Sequence, residues 1–434
     1  MDPNDLPSLS HLPAPQVDVL PNGVRLLLLP MPHLATCCAS VFVRSGSAHE
    51  PSHLGGIGHF IEHMAFKGTV TRDAHRINLD AERLGAEVLA HTDKDHTAFQ
   101  MRGLSMHAAD FVRMLGDIVR HPVFPADELE REREVILHEF AEVEDDPMDT
   151  AYRLFDHACF GLHPVAQPVI GTRARIRSLS RQDLLTYVQR QYTGANVVVG
   201  VAGGFDAEAV RREAHAAFAD MAPGAPHTLQ APGYRGDVRT RSLEGSSQAH
   251  VLIGGALPAL RDANEAGTVA AAVLGEGVSS PLLQAVRERR PLAYHATSAA
   301  DVLDVSGQFV VEASTSPEQL DVLVGEIAAL LRQHARRVDD VDLERARRQL
   351  RVRRLRALES PQQRLEDAAL DLFAFGRVRS TAERVHALDA VDGEAVRLTF
   401  EQLLASGLSA VAVGSVGRAA GDRLRRALDR HATH

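Results

Sequence analysis

The chain has 434 residues, a length typical of two domains of roughly 200 residues each. Its 45% apolar and 24% charged residues are the balance of an ordinary globular protein. Acidic residues outnumber basic ones 57 to 47, for a formal net charge of -10, which argues against the basic face that general nucleic-acid binding needs.

Residues 1–15 hold Asp2, Asp5 and four prolines. They have neither a basic n-region nor an apolar h-region, so they do not read as a secretory signal. The most apolar short run, 26–31, is strand-sized and far below the ~18 residues needed to cross a bilayer. Three cysteines, with Cys37 and Cys38 adjacent, make no disulfide framework. A cytoplasmic chain with neither a membrane nor a nucleic-acid partner is expected.

In chain order, the turn Leu20-Pro21-Asn22-Gly23 leads to a strand at 24–29, and a second strand follows at 39–44. Gly46, Gly55, Gly56 and Gly58 mark a loop opening into a helix over 59–64. Helix and strand signals then alternate to about residue 220. The Pro- and Gly-rich stretch 222–236 reads as a linker, dividing the chain into domains 1–221 and 237–434. The second half repeats the first: Glu128-Leu129-Glu130-Arg131 returns as Asp342-Leu343-Glu344-Arg345, and Asn196-Val197-Val198-Val199-Gly200 as Ala410-Val411-Ala412-Val413-Gly414, both offset by 214 positions. The expected fold is therefore α+β, two duplicated domains, each an antiparallel-rich sheet covered by helices. The copies differ in chemistry, because the counterpart stretch 265–280 contains no histidine.

The strongest local signal is His59-Phe60-Ile61-Glu62-His63. Residues four apart share one helix face, so both imidazoles can reach a single ion. Neutral imidazole suits Zn²⁺, and a catalytic zinc site needs three protein ligands plus an open water position. Glu62 sits between the histidines in sequence and suits a general base beside that water. The order reverses that of the commoner zinc-peptidase motif and matches the inverted signature. A surface helix with two unrelated histidines would show the same five residues, so a further element is needed.

The charged helix signal at 128–139 offers one. Glu139 can supply a third ligand from a separate helix. Glu132, seven residues earlier, lies two turns up the same face, placed to orient the site. Taken alone, such glutamates also read as a solvated face.

The segment from Gly58 through His59-Phe60-Ile61-Glu62-His63-Met64-Ala65-Phe66-Lys67-Gly68-Thr69 resembles the active-site helix of the pitrilysin/insulinase family of zinc metallopeptidases. It is most similar to the short-chain members and to the mitochondrial processing peptidase β subunit. The glutamate ligand in those relatives lies 76 positions after the second histidine, which falls on Glu139; Glu132 matches their second functional glutamate. Leu179-Ser180-Arg181-Gln182-Asp183-Leu184, Tyr192-Thr193-Gly194-Ala195-Asn196 and His163-Pro164 with Ile170-Gly171-Thr172 extend the likeness over essentially the whole chain.

The resemblance implies one zinc per chain on His59, His63 and Glu139, with Glu62 and Glu132 as functional carboxylates. It implies a catalytic first domain and a second domain whose Arg287 and Tyr294, after the loop Gly275-Glu276-Gly277-Val278-Ser279-Ser280, hold substrate. Read without it, Arg287 and Tyr294 are ordinary packing and surface residues. It also implies that the strand around Ala90 captures peptide as an added β-strand. Two departures stand out: Pro281 replaces a usual arginine, and Leu89 a usual asparagine. Val88, Ala90 and Thr92 still offer backbone groups to a peptide.

The implied function is a zinc endopeptidase cleaving unfolded peptides or precursor segments in an enclosed chamber, with basic peptides favoured if that chamber is acidic. The expected partner is a second copy of the chain, or a paralogous peptidase-like chain in an obligate heterodimer. A non-catalytic structural subunit is the remaining alternative, although such members usually lose metal ligands. His33, His53, His91, His96, His121 and His157 lack ligand spacing and read as surface or satisfied core residues. The arginines of 345–356 read as a solvated or salt-bridged helix face.

Overall fold

A computed structural model describes residues 13–262 and 264–429; within the segment that carries no signal pattern, residues 1–12 lie outside the described residues. The chain forms two compact units. The first takes in residues up to Phe140, Gln167–Leu229 and Arg356–Thr381; the second takes in Ala141–Ala166, Gln230–Leu355 and residues from Ala382 onward.

The first unit carries a six-stranded sheet: β1 (Gln16–Val19), β2 (Arg25–Pro30), β3 (Thr36–Val43), β4 (Glu87–Thr92), β5 (Thr97–Leu104) and β6 (Val197–Gly203), in the order β1-β2-β6-β3-β5-β4. Among the described residues of this sheet, only β2 and β6 pair in parallel. The second unit carries β7 (Val238–Ser242), β8 (Ala249–Leu257), β9 (Ala296–Val302), β10 (Gly307–Thr315) and β11 (Ser409–Gly414), in the order β7-β11-β8-β10-β9. Here β7 and β11 form the parallel pair. The second order repeats β2-β6-β3-β5-β4 strand for strand, so the expected α+β duplication holds, with β1 added to the first copy.

β6 reads Val-Val-Val-Gly-Val-Ala-Gly and is buried throughout, a continuous apolar run that suits a strand covered on both faces. One face carries the helix Ala108–Arg120, whose Phe111 ring fills the space beside Gly103. The other carries the helix Pro361–Phe375. Its Leu365, Ala368, Ala369, Leu372 and Phe373 pack on Leu27, Cys38, Phe42, Ala98 and Val198. A Cβ at Gly200 would lie 2.5 Å from the Leu365 side chain, so this strand position needs glycine for close approach.

That helix is remote in sequence from the strands it covers. Its counterpart at the 214-residue offset, Pro147–Phe160, belongs to the second unit and packs on β11 and β8. The two copies have thus exchanged equivalent helices, each starting with proline behind a side-chain cap, Asp146 or Ser360. Division at 222–236 into two contiguous domains does not provide for this exchange, because apolar periodicity specifies a buried face but not which sheet receives it.

The arginine-rich helix Asp340–Ala357 is salt-bridged: Arg351 pairs with Asp389, Arg353 with Glu276 and Arg354 with Glu265. No helix of the described residues is long and apolar enough to cross a membrane.

Candidate metal centre

The helix Ile57–Met64 buries Ile57, Phe60, Ile61 and Met64. This i, i+3, i+4, i+7 stripe seats one face in the core and leaves His59, Glu62 and His63 on the other. The helix has no side-chain cap of its own, and its first residue follows Gly56 at φ 94. Its N-terminal amides are met by Glu50, whose carboxylate accepts from Gly56 N at 2.6 Å and Gly58 N at 2.8 Å. A Cβ at Gly58 would sit 2.9 Å from Glu50 Oε1. The Gly56 and Gly58 positions therefore let a buried carboxylate sit at the start of the histidine helix.

Burial pushes the Glu50 carboxyl up to about 7, against the downward pull of those two hydrogen bonds and of His59. With a folded pKa above the unfolded 4.5, the native state binds more protons between these values, so stability falls as pH rises through that window. Metal-free Glu50→Gln protein should lack this slope, on the order of 3 kcal/mol. Urea midpoints at pH 5 and pH 7.5 measure it, and equal slopes in both proteins would refute the assignment.

The helix Ala126–Asp145 buries Leu129, Glu132, Arg133, Ile136 and Phe140 toward the unit. Arg133 fixes its register: the guanidinium lies 5.3 Å from the Phe60 ring centroid and donates to the carbonyls of Ile176 and Leu179. Glu132 and Glu139 are thereby brought to the histidine helix. His59 Nε2 lies 3.5 Å from Glu139 Oε1, and His63 Nε2 lies 3.4 Å from Glu139 Oε2. The two rings are 4.7 Å apart. On the far side of His63, Nδ1 meets Glu132 Oε2 at 3.1 Å, while Glu132 Oε1 holds Lys67 Nζ at 2.6 Å.

These distances suit a divalent metal. Ligands at zinc bond lengths of about 2.0–2.1 Å in tetrahedral array stand about 3.3 Å from one another. Two imidazoles and a carboxylate are a recognised catalytic zinc set. Behind them, a carboxylate on Nδ1 of His63 keeps the proton there and leaves Nε2 free to coordinate. Burial works against charge on His59, but its hydrogen bond to Glu139 and the nearby Glu62 and Glu50 raise its pKa above the ordinary value. Glu139 is lowered, first by its hydrogen bond to His59. Glu62 Oε2 is buried without a hydrogen-bond partner. Removing the support in Glu132→Ala should weaken zinc binding about 10–100-fold, read by competition with a chelator; unchanged affinity would show that Glu132 does not tune the site.

Ala90 lies on β4, which ends the sheet and, among the described residues, pairs only with β5. Thr92 faces the histidine helix, its Cγ2 being 3.3 Å from where a Gly58 Cβ would lie. By strand alternation Ala90 shares that face, and Leu89 takes the opposite one, across from Gln100. Arg287 and Tyr294 belong to the second unit. Arg287 projects from a π-helical turn, Gln284–Arg289, and lies 5.1 Å from the ring centroid of Tyr294, which is 86% exposed.

Sequence reasoning missed Glu50 and Arg133, which hold the site without belonging to any short motif. It also placed His91 and His96 among surface or satisfied core residues. His157 fits that reading, with Nδ1 on Gly161 O at 2.7 Å. His96, buried with Nδ1 on Asp95, and His91 also gather with Glu366 in a second group that could hold a metal.

Residues 26–173 match the family model for insulinase, peptidase family M16, and residues 178–350 match the model for the peptidase M16 inactive domain. A Bacillus subtilis protein named uncharacterized zinc protease YmxG is 30% identical over 88% of this chain and 94% of its own length. A Rickettsia bellii protein, also named an uncharacterized zinc protease, is 28% identical over 92% of this chain and 97% of its own length. Among solved structures, a protease from Helicobacter pylori superposes with a TM-score of 0.85 at 20% identity, covering 93% of this chain and 100% of that one; at that identity the likeness speaks for the fold alone. With both family models matched in order and curated relatives matched nearly end to end, the chain belongs to the insulinase (M16) family of peptidases.

Proposed function

We propose that this chain is a zinc-dependent endopeptidase of unfolded peptides. The observation that carries the reading is the meeting of His59 Nε2, His63 Nε2 and the Glu139 carboxylate within 4.8 Å of one another, with Glu62 on the same helix. The names of the relatives, zinc proteases, point the same way.

His59, His63 and Glu139 would hold one catalytic ion. Zinc, when bound, acidifies a water and polarises the scissile carbonyl. Glu62 takes a proton from the attacking water and delivers it to the leaving amine. Glu132 orients His63 and keeps its Nδ1 protonated. The free edge of β4 around Ala90 takes the peptide as an added strand, whose backbone groups pair with it. Arg287 and Tyr294 offer a guanidinium and a phenol to substrate carbonyls. A net charge of -10 favours basic peptides through long-range attraction.

The test is zinc content together with cleavage of a quenched basic peptide by the chain purified alone. Zinc-loaded, active protein supports a self-sufficient enzyme, with two copies of the chain enclosing the substrate. Zinc-loaded but silent protein that a paralogous chain awakens supports the heterodimer. Protein that binds no zinc overturns the reading.

A further inference from the structure

The hairpin that presents β4 carries a second cluster of metal-ligating side chains on the opposite face of the sheet. Strand pairing sets His91 opposite Ala98, and Ala98 packs under the helix Pro361–Phe375. His91 therefore faces that helix, away from the histidine helix. His96, in the turn between β4 and β5, is 2% exposed. Glu366 comes from the helix itself, 270 residues along the chain. His91 Nε2 lies 3.4 Å and His96 Nε2 3.7 Å from the same Glu366 Oε1.

The separations leave room for an ion between the three groups. A charge-assisted N–H···O bond closes to about 2.7–2.9 Å, and neither imidazole does so. Both Nε2 atoms are buried, and the group each approaches is the one Glu366 oxygen. Ligands sharing one zinc stand about 3.3 Å apart, and the His59, His63 and Glu139 group shows 3.4 and 3.5 Å. The supporting contact recurs as well. Asp95 Oδ1 lies 2.7 Å from His96 Nδ1, as Glu132 lies behind His63, which leaves Nε2 as the free donor atom. Gln100, on the same strand face as Ala98, is 1% exposed and has both amide atoms unpaired. It adds polar capacity beneath the helix.

We propose that His91, His96 and Glu366 hold a second divalent cation of the zinc class. Its role is to pin the β4–β5 hairpin to the helix Pro361–Phe375. Held between a strand–turn segment and a helix, the ion acts as a clamp on the edge strand that the proposed function uses to receive peptide. The metal-binding claim does not depend on hydrolysis, and its test reads metal rather than activity.

The full chain, stripped by chelation and dialysed against zinc, should bind two equivalents. His63→Ala should keep one, Glu366→Gln should keep one, and the double variant none. In the His63→Ala background, added zinc should raise the thermal midpoint, and Glu366→Gln should abolish that rise. Cobalt substitution of His63→Ala should give the visible bands of a low-coordinate nitrogen and oxygen site. A wild type holding one equivalent, lost entirely in His63→Ala, would overturn the proposal and leave the cluster as a histidine–glutamate ion pair. If Glu366→Gln does not fold, the wild-type and His63→Ala counts decide. Absence of peptidase activity would leave these counts untouched, so failure of the two proposals can be told apart.

Discussion

Glu62→Gln should slow peptide hydrolysis by about 10²–10⁴-fold, the range that a positioned general acid–base contributes, while zinc content stays at the wild-type level. Glutamine keeps the shape of the side chain and loses the capacity to take a proton. Glu62 is not one of the three converging metal-ligating groups, so the ion has no reason to leave. Because proton transfer matters in the transition state, the loss should appear in kcat more than in KM. Parallel metal analysis and steady-state kinetics read both quantities. A variant that cleaves at the wild-type rate would remove Glu62 from the mechanism. One that loses its zinc would make it a ligand.

Asp371→Ala should destabilise the first unit by about 3–5 kcal/mol, the cost of leaving one member of a buried ion pair uncompensated. Asp371, 1% exposed, sits on the helix Pro361–Phe375. Its Oδ1 receives Arg379 Nε at 3.0 Å and Nη2 at 2.9 Å, and its Oδ2 receives the Arg379 backbone N–H at 2.8 Å. The guanidinium also lies 4.4 Å from the Phe375 ring centroid. Alanine removes all three acceptor contacts and strands a buried cation. Amide exchange of β6, which this helix covers, measures the loss. Replacing both partners, Asp371→Leu with Arg379→Met, should recover part of it, since the stranded charge is gone while the backbone N–H of residue 379 still lacks its acceptor. A single variant within 1 kcal/mol of wild type would show that solvent or another group takes over the charge.

The exchanged helix links these results to the site. The helix that carries Asp371 also carries Glu366, and its apolar stripe closes the sheet face behind the histidine helix. Loosening it should expose the β4–β5 hairpin before His59, His63 and Glu139 on the other face are disturbed. Sequence alone offered no sign of this, because the stripe of Leu365, Ala368, Ala369 and Leu372 would fit either sheet of the duplicated fold.

What the sequence by itself determined is the part of the site governed by local geometry. His59 and His63 share a helix face because they are four apart, and Glu132 and Glu139 share one because they are seven apart. The apolar strands and the 214-residue repeat revealed the duplicated α+β architecture, since burial on both faces requires continuous hydrophobic runs. Only the tertiary structure decided which distant residues complete these patterns. Glu50 reaches the histidine helix through a loop whose shape no period encodes. Arg133 looks like one more charge on a charged helix until Phe60 and two carbonyls are found around it. His91, His96 and Glu366 lack ligand spacing because one lies on a strand, one in the hairpin turn after it, and the third arrives on a helix from the other repeat. Helical and strand periodicity act over a few residues, whereas loop paths and the exchange of helices bring together groups hundreds of positions apart, and those contacts exist only once the chain has folded.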